Sequence, residues 1–186
     1  EAEIARTPWA SRFSFHLLSD TSRPEIAARE EALVAAWRAS RPGAEIYYRR
    51  RTDNEGYKAG NIAEFVHRWR GRAELFLPLD ADSEMGAGAV LRMVRVMQVS
   101  PELGMLQSLV TGLPSRTFFT RAFQFGMRHG MRSYTLGSAW WQGDCGPNWG
   151  HNVLIRLAPF ADHCMLPVLP GRGPLSGPIL SHDMLE

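Results

Sequence analysis

Short apolar runs alternate with longer stretches of helical periodicity along most of this chain. The runs predict β-strands at residues 12–20, 44–51, 73–80, 103–110 and 151–157. The amphipathic stretches predict α-helices at residues 21–40, 56–69, 88–99 and 117–131. After about residue 143 the alternation ends, and frequent glycine and proline residues predict loops.

Two of the helices carry further sequence signals. Ser22 is a suitable N-cap and Pro24 a suitable first residue for the helix at residues 21–40. Four apolar residues share one face of the helix at residues 56–69, namely Ile62, Phe65, Val66 and Trp69. Both helices are therefore expected to cover a sheet.

Strands that alternate with helices, and that are apolar almost throughout, are typical of a largely parallel sheet with helices on both faces. The predicted fold class is thus α/β. Sheets of this kind bind ligands at the carboxyl ends of their strands. Asp20 and Asp80 are the last residues of their predicted strands, so we expect both on the ligand-binding rim.

Composition is that of an ordinary globular domain, with 186 residues, 45% hydrophobic and 22% charged. The net charge of +2 indicates no particular partner, although Lys58 is the single lysine among 21 basic residues. No apolar run reaches the roughly 18 residues of a membrane span, and the first residues lack a signal-peptide pattern. The segment is therefore expected to be soluble.

The two cysteines predict a reducing compartment and no disulfide framework. Cys145 and Cys164 can be combined with His151 and His163 into a zinc site, but these residues lack the close pairs of usual zinc ligands. Buried or surface positions are the simpler interpretation.

Asp80 and Asp82 form an Asp-x-Asp motif at the end of an apolar strand. Two such carboxylates can hold Mg²⁺ while the phosphates of a substrate complete its coordination, which predicts a nucleotide diphosphate as ligand. The alternative is that Asp82 or Ser83 caps the helix that follows.

Haloacid dehalogenase phosphatases also have an apolar strand that ends in Asp-x-Asp, with the first aspartate as nucleophile. Those enzymes place that strand early and a lysine after it. Here Lys58 precedes the motif and no lysine follows it, so a nucleotide-sugar enzyme is favoured over a phosphohydrolase.

The basic run at residues 47–51, Tyr-Tyr-Arg-Arg-Arg, raises the question of nucleic-acid binding. It lacks a stripe of interleaved aromatic residues, and a cluster of charges at a strand end usually faces solvent. We therefore predict no nucleic-acid partner.

Several blocks in order, LLSD, YYRRRTDNEGYKAGNIAEF, LDADS, WGHNVLIR and HCMLPVLPGRGPLSGPILSHD, resemble the membrane-bound family 2 glycosyltransferases. The resemblance is greatest to the branch that builds osmoregulated periplasmic glucans, and it extends from Phe13 to the end of the chain. It implies a GT-A fold, UDP-glucose as donor, Mg²⁺ or Mn²⁺ as cofactor, and inverting transfer of glucose to a growing β-glucan acceptor.

The same resemblance implies roles for donor-side residues. Asp20 would contact the uridine of the donor, and the Lys-Ala-Gly-Asn stretch would line the nucleotide through Lys58, Gly60 and Asn61. An ammonium group near phosphate is physically reasonable. Asp80 and Asp82 would bind the metal ion and, through it, the diphosphate.

On the acceptor side, Asp183 matches the general base, which takes the proton of the attacking hydroxyl opposite the leaving group. Without the resemblance Asp183 would be an ordinary loop acid. Trp149, His151 and Asn152 are predicted to contact the acceptor through an indole platform and polar groups. Core packing of Trp149 and a structural hydrogen bond of His151 are the alternatives.

Departures from the family pattern limit what the segment does by itself. An earlier strand, a Gln-x-x-Arg-Trp-like motif and membrane helices are missing, and Asn148-Trp149 replaces an expected Tyr-Trp pair. Residues 1–186 therefore resemble the central part of a GT-A domain. In the intact protein this domain is expected on the cytoplasmic face of the bacterial inner membrane, attached through segments outside residues 1–186. We expect the segment alone to be inactive. A non-catalytic domain that binds regulatory proteins or RNA is the alternative.

Overall fold

The chain adopts a mixed α/β arrangement in which strands and helices alternate. The computed structural model describes residues 2–143, 148, 150–165, 168–169 and 177–178. Two short 3-10 turns, Ile4–Arg6 and Ala10–Arg12, precede the first strand. The elements in chain order are β1 (Ser14–Ser19), α1 (Pro24–Ser40), β2 (Glu45–Arg50), α2 (Tyr57–Trp69), β3 (Leu75–Phe76), α3 (Ala87–Val99), β4 (Met105–Gln107), α4 (Phe118–Gln142), β5 (Val153–Arg156), α5 (Leu157–His163), β6 (Val168–Leu169) and β7 (Gly177–Pro178).

These elements belong to two compact units, and the chain passes between them after Glu74, Met85, Val90 and Arg156. The first unit contains β1, α1, β2, α2, α5, β6 and β7. The second contains β3, β4, α4 and β5, and α3 begins in the first unit and continues in the second. No helix among the described residues has both the length and the apolarity that are needed to cross a membrane.

One sheet of the first unit is the parallel pair β1–β2, in which Ser14 lies opposite Glu45 and Ser19 opposite Arg50. Successive side chains of a strand point to opposite faces. Phe15 contacts Trp37 of α1 with the ring centroids 5.9 Å apart, whereas the next residue, His16, contacts α2. The two helices therefore cover opposite faces of this pair, as the alternation of the sequence predicts.

The second unit contains a sheet of order β3–β5–β4 in which both pairings are antiparallel. β3 and β4 run in the same direction, as expected for strands joined by α3, but β5 lies between them and runs the opposite way. The prediction of a largely parallel sheet is therefore wrong for this unit. Pro78 has no N–H for a ladder, which helps to explain why β3 ends at Phe76 and not at residue 80.

The core of the second unit lies between α3 and the sheet. Met93 and Met97, one turn apart on α3, are buried together with Leu154 of β5. Six partly buried apolar residues surround them, namely Leu75, Leu77, Met85, Val94, Leu103 and Leu106. Burial of a side chain as large as Met97 stabilises the fold by about 1.5–3 kcal/mol.

Two helix starts differ from the predictions. α1 begins at Pro24 as expected, but its N-cap is Arg23, and the Ser22 cap is wrong. α3 begins at Ala87, and the N–H of Ala87 donates to the Glu3 carboxylate at 2.7 Å. Neither Asp82 nor Ser83 is close enough along the chain to cap this helix, so that alternative is also wrong.

Two helices extend or add to the predicted set. α4 begins after Thr117, whose side chain accepts from the N–H of Thr120, and it continues eleven residues past the predicted end at residue 131 to Gln142. α5 follows β5 without a loop, and Leu157 and Phe160 of α5 are buried. The sequence pattern missed α5 because a strand and a helix that share one apolar run have no turn signal between them.

An aromatic cluster lies between the β1–β2 pair and α2. His16 stacks on Tyr47 with the ring centroids 4.9 Å apart, and its edge meets Phe65 at 5.0 Å and Trp69 at 4.4 Å. Burial, and secondarily the charge of Arg49, lower the pKa of His16 from 6.5 to about 4. His16 is therefore neutral at physiological pH.

This cluster predicts an acid-sensitive fold. Because the folded chain takes up the His16 proton only near pH 4 and the unfolded chain near pH 6.5, acidification between these values favours unfolding. The His16→Phe variant keeps an aromatic ring without the titration. In urea titrations, we expect the unfolding free energy of the wild type to fall relative to His16→Phe from pH 7 to pH 5. Parallel pH profiles for the two proteins would contradict a neutral, half-buried His16.

Candidate functional site

The rim of the first unit is built where β1 and β2 end. The N–H of Arg51 donates to the carbonyl of Ser19 at 3.0 Å, which continues the strand pairing by one residue. Asp20 and Arg51 therefore emerge side by side. Nε of Arg51 donates to Oδ1 of Asp20 at 2.8 Å, and Nη2 donates to Oδ2 at 2.7 Å. This bidentate contact raises the pKa of Arg51 and fixes the orientation of the carboxylate.

Two asparagines complete the surroundings of Asp20. Nδ2 of Asn61 donates to Oδ1 of Asp20 at 2.7 Å, and Nδ2 of Asn54 donates to the Asp20 carbonyl at 2.7 Å. A carboxylate has about four lone-pair sites, and Asn61 and Arg51 together use two on Oδ1 and one on Oδ2. Among the residues that the structure describes, Arg51 is the donor to Oδ2, and this oxygen can accept one further hydrogen bond.

The loop between β2 and α2 is wound tightly around the Arg51 guanidinium. Nη1 donates to the carbonyl of Glu55 at 3.0 Å, and Nη2 donates to the carbonyl of Tyr57 at 2.9 Å. The backbone is left-handed at Gly56 (φ 68°) and Tyr57 (φ 47°). This winding brings the Glu55 carbonyl against α2, where a Cβ on Gly60 would lie 2.0 Å from the oxygen. Glycine is therefore required at position 60.

Lys58 lies on the first turn of α2 and is exposed. The start of a helix carries a partial positive charge and N–H groups that favour anions. The Lys-Ala-Gly-Asn stretch thus combines a cation at a helix start, a glycine required by packing and Asn61 bound to Asp20. The structure joins Asn61 to Asp20 and packs Gly60 against the loop that Arg51 holds, and Lys58 precedes both on α2.

The basic run at the end of β2 does not face solvent as a whole. Side-chain exposure is 14% for Arg49 and 9% for Arg51, and only Arg50, which points to the opposite side, is exposed. Nη1 of Arg49 lies 3.0 Å from Oε1 of Glu64, and burial lowers the pKa of Arg49. The prediction of a solvent-facing cluster is wrong for these two arginines because alternate strand residues share a face.

In the second unit, Asp80 and Asp82 lie on a turn beyond β3. The N–H of Ser83 donates to the carbonyl of Asp80 at 3.0 Å, which closes the turn. Asp80 is half-buried and Asp82 is exposed. The two carboxylates thus lie on one short turn, and carboxylate oxygens are ligands that suit a hard divalent cation.

His151 and Asn152 lie at the same edge of the β3–β5–β4 sheet as this turn, because β5 starts where the antiparallel β3 ends. The N–H of Asn152, whose backbone is left-handed (φ 54°), donates to the carbonyl of Pro78 at 2.9 Å. The hydroxyl of Ser108 donates to the Asn152 carbonyl at 2.7 Å. Asn152 is buried, and these two hydrogen bonds of its backbone hold the start of β5 in place.

The Asn152 side chain also orients the His151 ring. Nδ1 of His151 lies 2.7 Å from Oδ1 of Asn152. An amide oxygen only accepts, so with this amide orientation Nδ1 carries the proton and Nε2 of the neutral ring is a hydrogen-bond acceptor. The structural hydrogen bond that we considered as an alternative for His151 is therefore present, and it leaves Nε2 available for another contact.

Three residues singled out in the sequence, Cys145, Trp149 and Asp183, lie outside the described residues. Within the part of the chain that the structure describes, no group of three or more His, Cys, Asp or Glu side chains is placed to hold a metal ion. Burial raises the pKa of the Cys164 thiol, which forms no disulfide within the part of the chain that the structure describes.

Curated proteins from several bacteria are similar to this chain along nearly its whole length. A Xylella fastidiosa protein is 45% identical over 185 residues, which is 98% of this chain and 29% of that protein. A Caulobacter vibrioides protein is 40% identical over 186 residues, covering 100% and 28% of the two chains. A Pseudomonas paraeruginosa protein is 40% identical over 184 residues, covering 98% and 21%. All three are named glucans biosynthesis glucosyltransferase H.

This chain is homologous to a segment of glucans biosynthesis glucosyltransferases H. It spans less than a third of the length of these relatives. No protein-family model matches the chain. No solved structure matches it either. The resemblance to glucan-building glycosyltransferases that the sequence blocks predicted is thereby confirmed.

Sequence reasoning missed two residues of the rim in this homologue of the glucosyltransferases H. Arg51 holds Asp20 and the loop, and Asn54 holds the Asp20 backbone. The register of the β1–β2 pair gives a signal for Arg51. Ser19 pairs with Arg50, so the next residues of the two parallel strands, Asp20 and Arg51, lie side by side. No such signal marks Asn54, since its contact depends on the winding of the loop.

The close approach at Gly60 predicts a large stability effect. Gly60→Ala would force the new Cβ against the Glu55 carbonyl, and we expect a loss of about 1–3 kcal/mol in urea unfolding. Gly88→Ala is the matched control, because Gly88 also lies in a helix of the first unit and a Cβ there meets open space. The control should be neutral or stabilising by up to about 1 kcal/mol. Equal stability of the two variants would contradict the tight packing at residue 60.

Proposed function

We propose that this chain is the central part of a GT-A glucosyltransferase domain that transfers glucose from UDP-glucose to a growing β-glucan with inversion at the anomeric carbon. The observation that carries the proposal is the oriented Asp20 carboxylate at the end of β1, in a chain homologous to proteins named for glucan biosynthesis. The relatives' name includes no hydrolase activity, so the phosphohydrolase alternative loses support.

In this proposal Asp20 recognises the uracil base. Uracil has one ring N–H, and Oδ2 of Asp20 has the remaining acceptor site for one such donor. Arg51 and Asn61 act as positioning residues, because they hold the carboxylate before the donor arrives. Lys58 and the first turn of α2 provide positive charge for the diphosphate.

Asp80 and Asp82 would hold Mg²⁺ or Mn²⁺. Their position on one short turn supports this assignment, as does the loss of the competing helix-cap role, since Glu3 accepts from the first N–H of α3. When bound, the cation neutralises the charge that develops on departing UDP. Two carboxylates leave room for phosphate oxygens among the ligands of such an ion.

On the acceptor side, Asp183 acts as general base. The acceptor hydroxyl oxygen forms a bond to the anomeric carbon of glucose while the bond from that carbon to the phosphate oxygen breaks. The hydroxyl proton passes to Asp183, and UDP leaves with the electron pair. His151 accepts a hydrogen bond from a sugar hydroxyl through Nε2, Asn152 holds that ring, and Trp149 stacks on a sugar ring.

The remaining expectations concern the intact protein. We propose that it acts at the cytoplasmic face of the bacterial inner membrane, attached through membrane segments outside the 186 residues. A glucan chain would be its acceptor. A non-catalytic domain that binds regulatory proteins or RNA is the competing function, and it differs in needing no nucleotide.

Calorimetric titration of the purified chain with UDP tests the donor site. We expect UDP to bind more tightly with Mn²⁺ or Mg²⁺ than with EDTA, and Asp80→Asn and Asp82→Asn to remove this difference. Asp20→Asn should weaken UDP about tenfold or more, since a hydrogen bond to a charged group is worth about 1.5–3 kcal/mol.

The control for this titration is Glu102→Gln, which removes an exposed carboxylate outside the proposed site and should leave UDP binding unchanged. Circular dichroism of each variant separates a lost contact from a lost fold. A wild-type chain that is folded and ignores UDP would overturn the proposed function and favour an interaction domain.

Asp183→Asn tests the base in the active protein that contains this segment. We expect glucosyl transfer to fall by about 10²–10⁴, the usual contribution of a general base, while UDP binding stays within about twofold. Asp183→Glu should recover part of the rate because it restores a carboxylate. Transfer by Asp183→Asn at the wild-type rate would remove Asp183 from the mechanism.

A further inference from the structure

Helix α4 presents a large apolar surface to solvent. Nine of its apolar residues are exposed to between 39% and 88%, and we call them the aromatic face. They are Phe118, Phe119, Phe123, Phe125, Met127, Tyr134, Leu136, Trp140 and Trp141. No residue of α4 is buried. Soluble monomers rarely expose contiguous apolar patches larger than a few hundred Å², and larger patches mark interaction sites.

The positions of these residues around the helix axis are not random. At 3.6 residues per turn, all nine fall within a sector of about 200°. The half-buried residues of α4 form a narrow stripe on the other side, namely Thr120, Gln124, Met131, Thr135 and Ser138. A helix at a protein surface normally turns its apolar side inward. α4 turns its mainly polar stripe inward and its apolar side outward.

Charge limits what can cover the aromatic face. The helix contains Arg121, Arg128, Arg132 and His129, and residues 118–142 include no aspartate or glutamate. The three arginines lie together on the border of the apolar sector. Nη2 of Arg128 donates to the carbonyl of Gly112 at 3.0 Å. The surface that fits α4 is therefore apolar in depth and negatively charged at its boundary.

We propose that α4 lies flat in the headgroup region of an anionic lipid bilayer, with the aromatic face toward the acyl chains and the arginines at the level of the phosphates. Interfacial helices combine an apolar face rich in Trp, Phe and Leu with a basic polar face. Trp and Tyr side chains concentrate at the same depth in membranes. Such a helix rests on the bilayer without crossing it, and the site is independent of the proposed transfer reaction.

Flotation of the purified chain with vesicles tests this site. We expect binding to vesicles of phosphatidylcholine with phosphatidylglycerol, much weaker binding to phosphatidylcholine alone, and weakening by salt. Arg121→Gln with Arg132→Gln should weaken binding to the anionic vesicles roughly 30-fold, from about 1 kcal/mol for each basic residue near such a surface.

A second pair of substitutions tests the apolar contact. Phe119→Gln with Phe123→Gln should weaken binding to anionic vesicles at least about tenfold through lost apolar burial. Both side chains are exposed, so the fold should be retained, and circular dichroism checks this. Trp9→Gln and Arg29→Gln are matched controls, because they remove an exposed aromatic residue and an exposed arginine outside α4, and should bind as the wild type does.

Three results would overturn the membrane proposal. The first is equal binding to anionic and neutral vesicles. The second is equal loss of binding in the controls and in the α4 variants. The third is a wild-type chain that does not bind vesicles and forms a dimer, if Phe119→Gln with Phe123→Gln converts that dimer to a monomer in sedimentation velocity. That last result would assign the aromatic face to a second copy of the chain.

Discussion

The ion pair between Asp20 and Arg51 is the contact on which the rim of the first unit depends. It joins the ends of the two parallel strands, and the same guanidinium holds the carbonyls of Glu55 and Tyr57. The pair is only partly buried, with the Asp20 side chain 25% exposed, so loss of one partner costs less than the roughly 3–5 kcal/mol of a fully buried pair, and the intact pair adds little net stability. We therefore interpret the pair mainly as a positioning device. It presents one carboxylate in a single orientation where a ligand would meet the strand ends.

In the second unit, the ends of the central strand are fixed mainly by contacts with the backbone. Asn152 binds the carbonyl of Pro78 through its N–H and receives the hydroxyl of Ser108 on its carbonyl, so the start of β5 is joined to both neighbouring strands. At the other end of β5, Nε of Arg156 donates to the carbonyl of Leu103 at 2.9 Å. Both ends of the central strand are therefore held. As a result, the Asp80 turn and His151 lie at the same edge of the β3–β5–β4 sheet.

Much of this arrangement follows from local sequence patterns, and the exceptions have physical causes. The strand before Asp20 and the helix after Gly56 are encoded by apolar periodicity, which acts over a few residues. The antiparallel insertion of β5 depends on which strands meet after a long connection, and periodicity does not contain that information. Burial of Arg51 was missed because a run of arginines resembles a solvated surface until its partner, Asp20, is placed beside it. Asp183 lies outside the described residues, so its role rests on resemblance.

α2 and α4 show why the same kind of pattern has two outcomes. Both helices are amphipathic, but the apolar face of α2 is covered by the β1–β2 pair, and Val66 is completely buried. On α4 the residue contacts available within the second unit involve the mainly polar stripe, so Phe118 is left 88% exposed. Amphipathicity specifies that a helix has an apolar side, and the tertiary arrangement decides what that side meets. An apolar face that its own unit does not cover, bordered by arginines and lacking acids, has its most complementary surface outside the chain, where hydrocarbon lies beneath negative charge.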